Sequence, residues 1–489
     1  MDASALPTNP VHRIASDLSA EHRADVPYPP GELGFSLPRT MRVVREPLPL
    51  LLGSYARYGP VFSLRVLHHP VVFMIGAEAN HFMTVAHADL FRWGDGHMGE
   101  LAPLIGRGLL TSDGSEHRTA RKLMLPAFHR ERLAATLDTM TEEIDAALAG
   151  WQRGRALDLY HWTRRLALRI AMRCLFGLDP DEAREHIDAA REFEVALNFH
   201  GYDYFFQMLR GPKTPWQRMM RARRRLDTLI YAEIARRRRA GGGDDLMSLL
   251  LDATDEDGES LSDRQVRDQI MTLLFAGHDT TTATIAFLFF ELSRHPRVLA
   301  GLEHEADSVL GERAATYAEL MGGNLPLLDQ ALDETLRLYP AAWLGPRRAA
   351  QTFEFAGRTV PAGAYVDYSS WATHHLPELF PQPQAFVPER FAGDAAKGWP
   401  KGAYVPFGGG SRTCIGMRFG QLEIRAIAAR IVRSFRLELS PGYRPEIRQT
   451  PTLGPRRGMP VTVRDRGETP LAGVAGGTAD APPRKPVGR

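Results

Sequence analysis

The chain has 489 residues, 44% hydrophobic and 24% charged, with a formal net charge of +2. That is globular material long enough for a large core, and its near-neutral balance excludes an electrostatic case for nucleic acid as a partner. Two cysteines, Cys174 and Cys414, are too few for a disulfide-stapled secreted fold or a four-cysteine iron–sulfur module.

In chain order, residues 1–30 read as a loose, partly flexible leader that is polar and proline-rich and ends in Pro27-Tyr28-Pro29-Pro30. The apolar run Leu48–Leu52 is far too short to cross a bilayer, and no signal-peptide pattern precedes it. The expectation is a soluble, cytoplasmic protein with no membrane span. The runs Val61–Val66 and Val71–Ile75, separated by His68-His69-Pro70, read as a hairpin. Most of 115–340 has helical periodicity. His117 and Arg121 stand at i, i+4 in the helix pattern Gly114–Phe128, which ends near Pro126; alone they suit an exposed basic face. Cys174, inside the helical pattern Leu166–Phe176, reads as a small core residue. The segment Phe193–Trp216 carries Phe193, Phe199, Tyr202, Tyr204, Phe205, Phe206 and Trp216, and the basic stretch Arg221–Arg239 follows it.

The longest helix expected runs from Asp263 to Arg294, opened by a Ser262/Gln265 capping box and closed by His295-Pro296. At 1.5 Å per residue it is about 48 Å long, enough to traverse the molecule. At its centre lies Ala276-Gly277-His278-Asp279-Thr280-Thr281-Thr282. A helix-interior glycine costs about 1 kcal/mol, and a buried aspartate is costly unless satisfied. A helix that breaks its own rules at one point marks a site. Glu334 and Arg337 share one helix face at i, i+3. Beyond 345 the pattern shortens, with strands expected at Glu354–Val360, broken by Gly357, at Tyr365–Ser369 and at Val461–Val463. The pairs His68-His69 and His374-His375 lack partners at metal-ligand spacing and read as surface or turn residues. Residues 464–489, rich in Gly, Ala and Pro, read as a disordered tail. With no linker, repeat or dinucleotide-binding pattern between, 31–463 forms one domain, and electrons, if needed, come from another chain.

The most informative stretch is Phe407-Gly408-Gly409-Gly410-Ser411-Arg412-Thr413-Cys414-Ile415-Gly416. A thiolate ligand to haem iron donates electron density and favours O–O cleavage. Its negative sulfur needs backbone N–H groups aimed at it, and glycines let the main chain turn close enough. Arg412 suits a haem propionate, and Phe407 packed beside the ligand limits water.

The pattern F-x-x-G-x-R-x-C-x-G at Phe407, Gly410, Arg412, Cys414 and Gly416 resembles the haem-binding signature of the cytochrome P450 superfamily, soluble bacterial type. Ala276–Thr281 resembles the family's A/G-G-x-D/E-T-T/S. Glu334-Thr335-Leu336-Arg337 matches its E-x-x-R, and Pro383–Phe391 its P-x-x-F-x-P-E-R-F. The resemblance spans roughly 30–463 and implies a mainly helical, prism-shaped fold with a minor sheet part, haem lying between the long helix and the Cys loop. It implies Cys414 as axial ligand and Gly277 as the space above the iron. Asp279 and Thr280 would be the catalytic acid–alcohol pair, and His117, Arg121 and Arg412 propionate ligands joined by Arg347 or its competitor Arg348. Glu334, Arg337 and Arg390 would form a structural triad. Phe193–Trp216 matches the family's mobile lid, which with 98–110, 275–280 and 341–344 would enclose an apolar pocket; the basic 193–239 region could also graze a membrane. The apolar anchor of microsomal members is missing from this N-terminus.

The activity implied is an O2- and electron-dependent hydroxylation or epoxidation of an apolar substrate such as a fatty acid, terpenoid or steroid. Haem b is the cofactor, and NAD(P)H electrons arrive through a separate ferredoxin or flavodoxin and its reductase. Arg418, Arg425 and Arg430, on an apparent helix after Cys414, could meet that acidic partner. The protein is expected to be a monomer. The alternatives are an H2O2-driven peroxygenase, which can dispense with the acid–alcohol pair, and a non-catalytic haem-thiolate sensor or carrier, which has no reason to keep it.

Overall fold

A computed structural model describes residues 10–466, apart from 180–187, 200–206, 208, 242, 244, 255–257, 259 and 312. The central helix has the expected bounds, Asp263–Arg294, and the Ser262/Gln265 capping box is formed in both directions. Local chemistry sets these ends: the cap satisfies the first free N–H groups, and Pro296 cannot continue the hydrogen-bond ladder. Around this axis pack the helices Leu159–Phe176, Pro326–Leu338 and Met417–Ser434. Together they bury one large apolar core. The central helix is long and apolar enough to cross a membrane, but 83% of its most apolar window is buried. It is a core helix.

A six-stranded sheet lies to one side, in the order β1 (Gly31–Glu32), β2 (Val61–Val66), β3 (His69–Met74), β9 (Tyr365–Ser369), β6 (Leu344–Ala349), β4 (Phe91–Arg92). β2 and β3 are antiparallel, β3 and β9 parallel, β9 and β6 antiparallel. Its own apolar cluster includes Phe62, Leu64, Phe73 and Trp371. The expected 354–360 strand is a small hairpin, β7 (Phe353–Phe355) and β8 (Arg358–Val360), turning at Ala356 and Gly357, both with positive φ. Three further strands form a separate sheet, ordered β10 (Arg436–Leu439), β13 (Pro460–Arg464), β5 (Ala156–Asp158). A last pair, β11 (Ile447–Arg448) and β12 (Gly454–Pro455), completes the strands among the described residues.

Three readings of the sequence are corrected. The 1–30 stretch contains a helix, Pro10–His22, anchored because buried Asp17 meets His68 and Tyr365. The β2–β3 turn is Leu67-His68 alone, so His69 begins β3, where it is buried and Asp17 joins the histidine pair. His374 and His375 are not surface residues: both are buried, with their Nδ1 atoms on the carbonyls of Arg337 and Trp371. Burial lowers both imidazoles, His375 to about 4, so they stay neutral. Cys174 is a buried free thiol, as expected.

Candidate haem-thiolate site

The Cys414 loop is closed by its own backbone, with the Cys414 N–H donating to the Phe407 carbonyl at 3.0 Å. Gly410 has φ +61, and a Cβ there would lie 2.0 Å from the Thr84 carbonyl oxygen; no other residue fits. The Gly416 N–H is directed at the Cys414 sulfur, and Met417 then opens the helix Met417–Ser434. Solvent reaches Cys414, while the protein around it displaces enough water to push the thiol up, against the Gly416 N–H and Arg121. A metal ligated by the sulfur would reverse that direction by holding the thiolate.

Behind the loop, Glu334, Arg337 and Arg390 come together. Arg337 donates to both Glu334 oxygens, at 2.7 and 2.8 Å, and to the carbonyls of His374, Pro383 and Ala385. Glu334 Oε1 also accepts from Arg390 at 3.3 Å and from the Val387 N–H at 2.9 Å. The link onward to the Cys loop is His374, which sequence reasoning missed. Its Nδ1 bonds the Arg337 carbonyl, and its Nε2 accepts the Val405 N–H at 3.0 Å, two residues before Phe407. This network assigns the proton to Nδ1.

The expected cations also converge. Asp113 accepts the backbone N–H groups of Trp93 and Gly94 and binds Arg412 at 2.6 Å. It also N-caps by position the helix Gly114–Met124 that carries His117 and Arg121. Arg347 stacks on the Trp93 ring at 3.4 Å, with Arg412 5.1 Å from the same ring. Among the described residues neither Arg121 nor Arg347 meets a carboxylate within 4.0 Å. Burial and the neighbouring Arg412 and Arg121 lower His117 to about 4. Arg412 falls to about 10 through burial and the Arg347 and Arg121 charges, despite Asp113. A cluster of cations that depress one another calls for an anion. Arg348 points away from this cluster, toward Gly363 O, Tyr365 and Asp17, because adjacent strand residues point to opposite faces.

On the central helix every residue from Val266 to Leu292 is buried except Ala276, Gly277 and Thr280. A Cβ on Gly277 would meet nothing within 4 Å. The helix therefore opens at one spot, i, i+1 and i+4, on a single face. Thr280 Oγ1 donates back to Ala276 O at 2.7 Å. Asp279 turns elsewhere: Tyr160 at 3.0 Å, Arg448 at 2.8 Å and Thr452 at 2.5 Å donate to it, and Arg164 lies 3.6 Å away. Burial opposes its charge, but Arg448 and Arg164 outweigh that and hold it near 2. Acid and alcohol are thus neighbours in sequence whose side chains have different partners. Arg164, Arg448 and Thr452 lie far from 279 in the chain, with no local signal to reveal them. Beside them, Glu423 on the Met417–Ser434 helix is buried against Thr281, and burial raises it to about 8.

The 98–110 segment is tied to the central helix: Arg107 N–H bonds Asp268 and Leu109 N–H bonds Gln269. Of the aromatic segment, Phe193 packs edge-on against His278, and Phe199 against Trp216. Tyr202, Tyr204, Phe205 and Phe206 lie outside the described residues. Arg425 and Arg430 are committed to Asp329 and Asp145, which leaves Arg418 as the exposed member of that trio.

The donor set suits a flat, dianionic, iron-bearing group. It offers a sulfur with an N–H aimed at it, underbalanced cations at one edge, and an opened helix. Such a helix-rich frame with a glycine-bounded cysteine defines a haem-thiolate oxidoreductase. Residues 51–459 match the cytochrome P450 family, and the chain belongs to that family of monooxygenases. It is 38% identical over 349 residues to cyclooctat-9-en-7-ol 5-monooxygenase of Streptomyces melanosporofaciens, covering 69% of this chain and 74% of that one. To cyclooctatin synthase of the same organism it is 34% identical, over 86% and 92%. The solved structure of retinoic acid bound cyanobacterial CYP120A1 superposes with a TM-score of 0.80 at 29% identity. It covers 90% of this chain and 100% of that one.

Proposed function

We propose that this chain is an O2- and electron-dependent haem-thiolate monooxygenase that hydroxylates or epoxidises a terpenoid. The observation that carries the reading is the single opening in the central helix, at Ala276, Gly277 and Thr280, in a chain whose Cys414 loop is built for a thiolate. Haem b bound through a thiolate supplies O–O cleavage. Cys414 Sγ would hold the iron, steadied by the Gly416 N–H. His117, Arg121, Arg347 and Arg412 would bind the propionates, and Phe407 would limit water at the sulfur. Gly277 leaves room on the opposite face. Thr280 Oγ1 would release its bond to Ala276 O to deliver a proton and would be reprotonated from solvent. Asp279, ionised and held by Tyr160, Arg448 and Thr452, would serve that reprotonation by turning away from these partners.

The terpenoid class is favoured over fatty acids and steroids by the relatives named for cyclooctatin chemistry and by the retinoic acid in the structural neighbour. Electrons would come from NAD(P)H through a separate ferredoxin or flavodoxin and its reductase, to a soluble, cytoplasmic monomer. The presence of both Asp279 and Thr280 weighs against a peroxide-driven enzyme and against a passive carrier. Cys414→Ser should abolish the shifted Soret band of the reduced carbonyl complex; an unchanged band would sink the ligand assignment.

A further inference from the structure

On the face of β6 opposite Arg347, three side chains from distant parts of the chain converge. Asp17 comes from the N-terminal helix, His68 from the β2–β3 turn and His69 from the start of β3. His68 Nε2 lies 2.9 Å from Asp17 Oδ2 and 3.3 Å from His69 Nδ1. One ligand atom from each residue fits within 4.8 Å of the others. Asp17 is 3% and His68 12% exposed by side chain, and His69 is buried.

His68 Nε2 lies between the Asp17 carboxylate and the His69 ring, and a single proton there can point straight at only one of them. A cation at this point can take a lone pair from each of the three residues at once. The 3.3 Å separation matches the ligand–ligand edge of a tetrahedral site, about 3.3 Å for metal–ligand bonds near 2.0 Å, and the 2.9 Å separation is slightly shorter.

The surroundings hold the donors in place. Tyr365 Oη donates to Asp17 Oδ1 at 3.0 Å, with Arg348 at 4.0 Å, so Oδ2 is left facing His68. Arg65 donates to the His68 carbonyl. Leu67 takes φ +53, a left-handed conformation that costs a non-glycine residue free energy, in the turn that presents His68. Outer-shell support of a ligating carboxylate is a usual feature of metal sites.

We propose that Asp17, His68 and His69 form a binding site for a divalent cation of the zinc class, with water as fourth ligand. Two imidazoles and one carboxylate select zinc, nickel, cobalt or copper over the oxygen-seeking magnesium and calcium. The bound ion would staple the Pro10–His22 helix to the β2–β3 turn. This site is separate from the Cys414 chemistry and stands whether or not the terpenoid reading does.

The test uses the haem-loaded full-length protein, stripped of loose metal by a chelator and titrated with zinc ions. One zinc per chain, counted beside iron by elemental analysis, is expected. His68→Gln and Asp17→Asn should each weaken it at least tenfold, and Tyr365→Phe, which touches no metal, by about 10–100-fold. Zinc-edge X-ray absorption, blind to haem iron, should show two imidazoles. It reads the site in the wild-type protein, so a variant that folds badly cannot obscure the answer. No saturable zinc binding would overturn the proposal, as would binding that survives His68→Gln or a zinc spectrum without imidazole.

Discussion

Replacing Arg337 by lysine keeps the charge beside Glu334 and removes the planar fork. Arg337 makes five hydrogen bonds, two to Glu334 and three to the carbonyls of His374, Pro383 and Ala385. A lysine ammonium has three donors, so at least two of the five bonds are lost. Glu334 Oε1 keeps the Val387 N–H and Arg390, so one or two buried acceptors go unmet, each costing about 1–3 kcal/mol. The loss is then about 1–6 kcal/mol, a large part of a typical 5–15 kcal/mol stability. The effect should also reach the haem pocket, because His374 joins Arg337 to Val405 in front of the Cys loop. Denaturant unfolding followed by far-UV signal and by haem absorbance should show a lower midpoint, with haem released earlier in the transition than in wild type. If Arg337→Lys unfolded within about 0.5 kcal/mol of wild type, the scatter of a surface change, and kept its haem, the triad would not be what holds the loop.

Thr280→Ala should leave stability within about 0.5 kcal/mol, since Oγ1 bonds only its own helix. It should divert electrons into peroxide, and product per electron at the wild-type level would refute the delivery role. Glu423 keeps its proton to about pH 8 in the fold, while an unfolded glutamate loses it near 4.5. Stability therefore falls as pH rises between those values, by up to about 1.4 kcal/mol per unit. Glu423→Gln should gain about 3 kcal/mol on wild type between pH 4.5 and 7, and parallel pH curves would refute the burial argument. Arg347→Gln should speed haem loss to an acceptor globin and Arg348→Gln should not; equal rates would return the choice between them to open.

Much of the central helix was legible from sequence. Capping at Ser262, the stop at Pro296 and the glycine at 277 act within about four residues of themselves. The Cys loop was legible for the same reason, because its glycines answer to its own turn. The acid–alcohol reading was only half legible. Sequence places Asp279 beside Thr280, yet packing turns Asp279 toward Tyr160, Arg448 and Thr452.

Local pattern by itself determined where the helix breaks, where the cysteine sits and which residues share a helix face. Tertiary structure alone decided that Arg347 rather than Arg348 joins the cation cluster, since only the buried side of β6 says which face looks toward Trp93. It alone buried His374 as the link between triad and loop, and brought Asp17 to His68 and His69. The physical reason is range. Caps, turns and periodicity are settled by neighbours along the chain, whereas ion pairs and shared ligands depend on which surfaces the core presses together.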